Sequence, residues 1–267
     1  MREIGRAYVG LKRPGLARYV FKEALERGPD GRVHFYLATL ASADGDYKLA
    51  IHHYEQAVAI DPSLAAAYNN LALLNQKAGN HREAIRNLDA ALALRPDWHL
   101  ARVNLANSYR NLKQYKEAEA LYMEVAQASP DFADVFFNLG VLYLENPVEG
   151  YEPIDRYGLA AKNFGAYRDK MGSKLSADDP ALKYIKEAQT LQQQIRDMEE
   201  QMRMMEQMQQ QMEAEQAASE ADESGDTAEE PEDGAAPTDS LLDEAPVEPS
   251  VEGLEEGDDA PTEPATF

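Results

Sequence analysis

The stretch Ala65–Pro96, AAAYNNLALLNQKAGNHREAIRNLDAALALRP, decides the fold. Its first half spaces apolar residues three and four apart, the period of one helix face, and Gly79 then breaks the run. Its second half repeats the pattern through Ala84, Leu88 and Ala91. Pro96 ends it, because proline has no backbone N–H and clashes with the preceding turn. The segment therefore reads as two helices joined by a tight turn. One such pair cannot bury its apolar face alone, so neighbours must stack on it.

The neighbours are present in the sequence. Prolines recur at Pro29, Pro62, Pro96 and Pro130, with gaps of 33, 34 and 34 residues. Alanines keep step at Ala17, Ala50, Ala84 and Ala118. Large residues follow at Phe21, Tyr54, Leu88 and Tyr122, and small ones at Ala24, Ala57, Ala91 and Val125. Each unit also carries a large–small pair: Ile4-Gly5, Leu37-Ala38, Leu71-Ala72, Leu105-Ala106 and Leu139-Gly140. Small side chains let two helix backbones approach at a crossing, while Leu, Tyr and Phe fill the space beside them. The expected units are 1–30, 31–64, 65–98, 99–132 and 133–174, with Ile4, Gly5 and Tyr8 on a buried seam of the first. In the last unit Ala160 and Phe164 come eight residues late, which places an insertion in the turn at 147–156.

A 34-residue unit with these residue types in this order resembles the tetratricopeptide repeat. The resemblance spans about residues 1–170 and implies an all-α fold: a solenoid of five helix-turn-helix repeats with a concave inner face. More narrowly, NLGVLYLEN, KNFGAYRDKMG and DDPALKYIKEAQ resemble tetratricopeptide lipoproteins of bacterial gliding-motility envelope complexes, over about residues 65–190.

After the repeats, Asp179 and Pro180 have the residue types of a helix N-cap and first position. The domain 175–217 is expected to be a trailing Met- and Gln-rich helix ending near Gln216. Leu191, Ile195, Met198, Met202, Met205 and Met212 follow steps of four and three, with Gln209 interrupting. Such a seam supports a short coiled coil, self-association through 181–212, or simply packing of the first turns on the last repeat. Residues 218–267 hold eighteen Asp and Glu with no Lys or Arg, and few large apolar residues. That composition predicts a disordered acidic tail.

The whole chain carries a net charge of −22 over 267 residues, which disfavours nucleic acid as a partner. It has no cysteine, hence no disulfide, zinc–thiolate site or thiol nucleophile. No apolar run is long enough to span a membrane, and no signal-peptide core precedes the repeats. As written, the expected compartment is the cytoplasm. Met1 falls near the fourth position of a repeat, so a start further upstream would make a signal or lipid anchor, and an envelope location, the expectation instead.

Catalysis finds little support. His52 and His53 are adjacent on a helix and diverge by about 100°, so they cannot share a metal as an i, i+4 pair does. His34, His81 and His99 read as packing or surface residues. There is no Gly-rich phosphate loop and no nucleophile–base constellation. The expectation is a non-catalytic adaptor or scaffold with no cofactor and no metal.

The concave face then carries function. The sixth position of successive units gives Tyr36, Asn70, Asn104 and Asn138, whose amides offer donor and acceptor to an extended peptide backbone. In the tetratricopeptide family, equivalent Asn residues contact bound peptides, which the resemblance implies here too. The expected peptide-binding set is Arg32, Phe35, Tyr36, Asn69, Asn70, Leu73, Asn104, Asn107, Arg110, Phe137, Asn138 and Val141. Phe35, Phe137 and the arginines supply specificity. The family's clamp for chaperone C-termini needs clustered lysines, and the matching places hold Phe35, Thr39, Asn70, Leu100 and Asn104 instead. The expected partner is a protein or peptide, and an accessory role in an enzyme or secretion machine fits the same surface.

Overall fold

The structure, a computed structural model, describes residues 1–224. Among them are eleven α-helices, one short 3₁₀ turn and no strand. The helices are α1 (Arg2–Gly10), α2 (Pro14–Glu26), α3 (Gly31–Ala43), α4 (Tyr47–Ile60), α5 (Ala65–Lys77) and α6 (His81–Leu94). They continue as α7 (His99–Asn111), α8 (Tyr115–Ala128), α9 (Ala133–Glu145), α10 (Pro153–Met171) and α11 (Pro180–Ser224). The chain divides into a first unit, Met1–Gln210, and a second, Gln211–Phe267. The first holds all five helix pairs. Of the second, only the helical stretch as far as Ser224 is described, past the helix end expected from composition; the acidic tail expected at 218–267 lies outside the described residues from 225 onward.

Within the first unit α1 pairs with α2, α3 with α4, α5 with α6, α7 with α8 and α9 with α10, and each pair stacks on the next. Odd-numbered helices also touch one another, α1 with α3, α5 with α7 and α7 with α9, as the inner layer of the stack. The expected crossings are buried. Ala38, Ala72 and Ala106 lie against the layer that holds Tyr54, Leu88 and Tyr122, all of them inaccessible or nearly so. At the two ends the pair is Gly with Phe. A Cβ on Gly140 would lie 2.7 Å from Cδ1 of Phe164, and one on Gly5 would overlap the Phe21 ring. Ile4, by contrast, is 51% exposed. The seam of α1 runs through Gly5 instead, because only one side of so short a helix meets Phe21.

The identity of the large residue follows its neighbour on the inner helix. Tyr54 and Tyr122 face Thr39 and Asn107, and their hydroxyls hydrogen-bond there, Tyr54 Oη to Thr39 Oγ1 at 3.2 Å and Tyr122 Oη donating to Asn107 Oδ1. Leu88 and Phe164 belong to units whose corresponding residues are Leu73 and Val141. A buried hydroxyl is tolerated where a polar partner exists and is absent where none does.

Four of the five intra-repeat turns place one residue in the left-handed region, spaced by the repeat length: Lys12 (φ 55°), Gly45 (80°), Gly79 (79°) and Lys113 (63°). Glycine adopts this conformation freely, whereas a lysine Cβ is strained by about 1–2 kcal/mol. Lys113→Gly is therefore expected to stabilise the chain by about 0.5 kcal/mol, the relief being partly offset by glycine's greater unfolded entropy. A small upward shift of the urea midpoint checks it.

The turn of the fifth pair is built differently. α9 ends at Glu145 and α10 begins at Pro153, so the loop is shorter than the expected 147–156 and the rest of the insertion is an extra first turn of α10. Pro153 suits the first helical position. Arg156 donates to the carbonyls of Tyr143 (3.0 Å) and Asn146 (2.7 Å), which α9 leaves without helical partners. The loop is tied down as well. Val148 is buried, and Tyr151 donates to Glu119 Oε1 (2.8 Å), the acceptor also used by Tyr143.

α11 begins where its residue types indicate. Asp179 Oδ1 accepts from the amide of Ala181 at 2.9 Å, and Ala181 and Ala188 are buried in the core of the last repeat. Tyr184 lies 5.2 Å from Phe164, ring centre to ring centre, and Gln192 donates to the carbonyl of Ile154 at 3.2 Å. Beyond Ile195 the helix is exposed, and Met198, Met202, Met205 and Met208 each show more than half their surface. No helix among the described residues is long and apolar enough to cross a membrane.

The fold also creates a histidine contact between neighbouring helices. His34 on α3 and His53 on α4 bring their Nδ1 atoms to 3.0 Å, so one must donate to the other. Burial, then the charge of His52, holds His34 below its ordinary value, with Asp30 pulling upward; burial, then His34, His52 and Lys22, lowers His53. The unfolded chain therefore takes up protons first as pH falls. Stability is held above pH of about 6.5 and declines below it. The melting temperature is expected to drop more between pH 7.5 and 5.5 in the native chain than in His53→Gln.

Candidate functional site

The odd-numbered helices present the surface on which every expected binding residue sits, but they use many of those residues internally. A chain of hydrogen bonds runs along the inner layer. Asn70 Nδ2 donates to Tyr54 Oη (3.1 Å), Asn69 Nδ2 to Asn70 Oδ1 (3.3 Å), and Asn104 Nδ2 to Asn69 Oδ1 (3.1 Å). Gln76 then bridges repeats by donating to the carbonyl of Asn104 (2.6 Å) and to Ser108 Oγ (2.7 Å). Asn69 and Asn104 are only 3% and 7% exposed. The amides of Asn70 and Asn104 are thus engaged within the protein, and Asn138 donates to the carbonyl of Asp134 one turn back in its own helix (2.8 Å). Two amides of the expected ladder of three, those of Asn70 and Asn104, instead stitch neighbouring repeats together. Buried polar groups need partners, and neighbouring units supply them at this spacing.

The aromatic members are likewise anchored. Tyr36 stacks on Phe21 at 5.3 Å, and Phe35 sits edge-on to Tyr36. Phe137 makes edge-to-face contacts with Phe164 (5.5 Å) and Tyr167 (5.2 Å). Val141 is buried, Asn107 accepts from Tyr122, and Arg110 keeps Nη1 buried with no hydrogen-bond partner among the described residues. Arg32 and Leu73 are exposed.

The structure gathers part of this set around one cavity. Leu100, Val103, Asn104 and Asn107 from α7, with Asp134, Phe137 and Asn138 from α9, line a pocket of about 330 Å³. Tyr167 from α10 and Asp179-Pro180 at the start of α11 complete its wall. Tyr167 donates to Asp179 Oδ2 at 3.2 Å. Burial first, then Asp179 and Asp134, hold the Tyr167 phenol above its ordinary value. Arg32, Phe35, Tyr36, Asn69, Asn70 and Leu73 do not reach this pocket; they lie on α3 and α5. Leu100 and Asp134 share the second position of their units with Arg32, a register signal already present in the sequence. Asp179 gave no such signal, because it comes from beyond the repeat pattern, whereas Tyr167 stands where earlier units carry the smaller Ala24, Ala57, Ala91 and Val125.

Two family models match the chain, one described as TPR repeat over residues 43–79 and one as tetratricopeptide repeat over 75–139. Residues 43–139 thus carry tetratricopeptide repeats, and the helix pairs on either side continue the same stacking. Among solved structures, the MamA protein is 22% identical with a TM-score of 0.54, covering 66% of this chain and 92% of that one. PilW, a widely conserved type IV pilus biogenesis factor, is 21% identical with a TM-score of 0.56, covering 73% and 90%. The pilF protein of Pseudomonas aeruginosa is 18% identical with a TM-score of 0.56, covering 72% and 85%. At such identities the likeness establishes the tetratricopeptide solenoid and nothing finer. Comparison with curated protein sequences gives no match. A tetratricopeptide solenoid is a protein-interaction scaffold, its concave layer an extended surface for partners.

Proposed function

We propose that this tetratricopeptide-repeat protein is a non-catalytic adaptor that holds an extended segment of a partner along the concave layer, ending in the pocket between α7, α9 and α11. The observation that carries this reading is the pocket itself, formed by equivalent positions of two successive repeats and closed by the first turn of α11. Exposed apolar side chains continue the surface, Leu100 at 46% and Leu73 at 40%. With Asn70 and Asn104 engaged, backbone recognition falls to Asn138. Leu73→Glu and Asn138→Ala touch no buried group, so each leaves the melting temperature near its native value. Both are expected to weaken binding to immobilised extended peptides several-fold. Peptide binding undiminished in both variants would sink the groove reading.

A second reading, a structural part of an envelope complex, draws on one observation. The three segments that resemble gliding-motility lipoproteins pack together here, α9, α10 and the start of α11 sharing a single core. Fractionation of the native cell tests it, with membrane association expected.

A further inference from the structure

The pocket at the end of the groove combines two properties. Leu100, Val103, Phe137 and Tyr167 give it apolar and aromatic walls, while Asp134 and Asp179 bring two carboxylates to its lining. No salt bridge among the described residues reaches either carboxylate. Asp134 is exposed in the first turn of α9. Asp179 is held in place by the amide of Ala181 and the hydroxyl of Tyr167. Phe137 is fixed by its contacts with Phe164 and Tyr167, so little ordering is left for a ligand to impose.

We propose that this pocket takes a lysine or arginine side chain projecting from the partner's extended segment. The inference rests on the reading of the concave layer as a peptide surface, and it names the chemistry of the anchor. Long basic side chains cover apolar surface with their methylenes while keeping the charged head hydrated or paired. Here the stem lies on Leu100 and Val103. The head meets the rings of Phe137 and Tyr167 and the two carboxylates, which combine cation–π attraction with charge-assisted hydrogen bonds. An acidic segment is the wrong occupant by charge. Residues 218–267 of this chain, with no Lys or Arg, do not fit it.

An array of immobilised acetylated decapeptides, varied one position at a time and probed with the full chain, tests this. The bound peptides are expected to carry Lys or Arg at one fixed position. Replacing that residue by acetyl-lysine, which removes the charge and keeps the stem, should lower binding about tenfold or more. The Asp134→Asn/Asp179→Asn double variant should lose the preference with an unchanged circular dichroism spectrum, since Asn caps a helix as well as Asp does. Peptides bound without a basic preference, or a preference that survives in the double variant, would overturn the anchor while leaving the groove reading in place. Selection of acidic peptides would overturn it in favour of the chain's own tail. An array on which the full chain binds nothing would overturn both.

Discussion

Phe164→Ala is expected to destabilise the chain by about 3–5 kcal/mol, the usual cost of emptying a buried aromatic site. Phe164 is fully buried and joins three elements. It fills the space opposite Gly140, touches Phe137, and packs on Tyr184 of α11. Stability in a solenoid is a sum of repeats and interfaces, so the loss will concentrate at this end. Amide exchange should accelerate across α9, α10 and the first turns of α11, with α3 to α6 protected as before. The pocket should go too, because Phe137 and Tyr167 take their positions from the same cluster. Gly140→Ala gives the reverse insult: an added methyl 2.7 Å from the ring forces the helices apart at a cost of about 1–3 kcal/mol. A loss below about 1 kcal/mol for Phe164→Ala, or uniform acceleration of exchange along the chain, would contradict this account.

Much of the architecture was legible because a repeat states its packing several times. Ala17, Ala50, Ala84, Ala118 and, across the insertion, Ala160 are all inaccessible, so the phase alone placed the core. The reading of the inner face was weaker for a physical reason. An exposed and a bonded Asn look alike in sequence, and whether Asn104 meets solvent depends on Asn69 of the preceding repeat. The residues that shape the pocket most, Tyr167 and Asp179, lie on α10 and at the start of α11. Tyr167 keeps the repeat phase set by Ala160, but the meeting of Asp179 with α7 and α9 depends on how α11 folds back, which no period encodes. The clue that was available is the pairing of Tyr54 with Thr39 and Tyr122 with Asn107, where a hydroxyl appears only when its neighbour is polar.

Asn104→Ala is expected to cost about 1–3 kcal/mol, because it leaves Asn69 Oδ1 buried without its donor. Asn69→Ala should cost a similar amount from the other side. The two are not independent: once one amide is gone, removing its orphaned partner relieves the unmet polar group. The double variant is therefore expected to fall short of the sum of the singles, with a coupling of about 0.5–3 kcal/mol. Urea unfolding of the four proteins measures it, and strictly additive losses would show that the hydrogen bond contributes nothing. The result also decides how binding data are read. A loss of peptide binding in Asn104→Ala reports a disturbed junction between repeats as much as a lost contact. Asn138 is the cleaner probe, since among the described residues its side chain bonds only to the carbonyl of Asp134 in its own helix. If Asn138→Ala weakens binding at constant stability while Asn104→Ala weakens both, the inner layer divides into a structural stitch and a recognition surface that begins where the stitch ends.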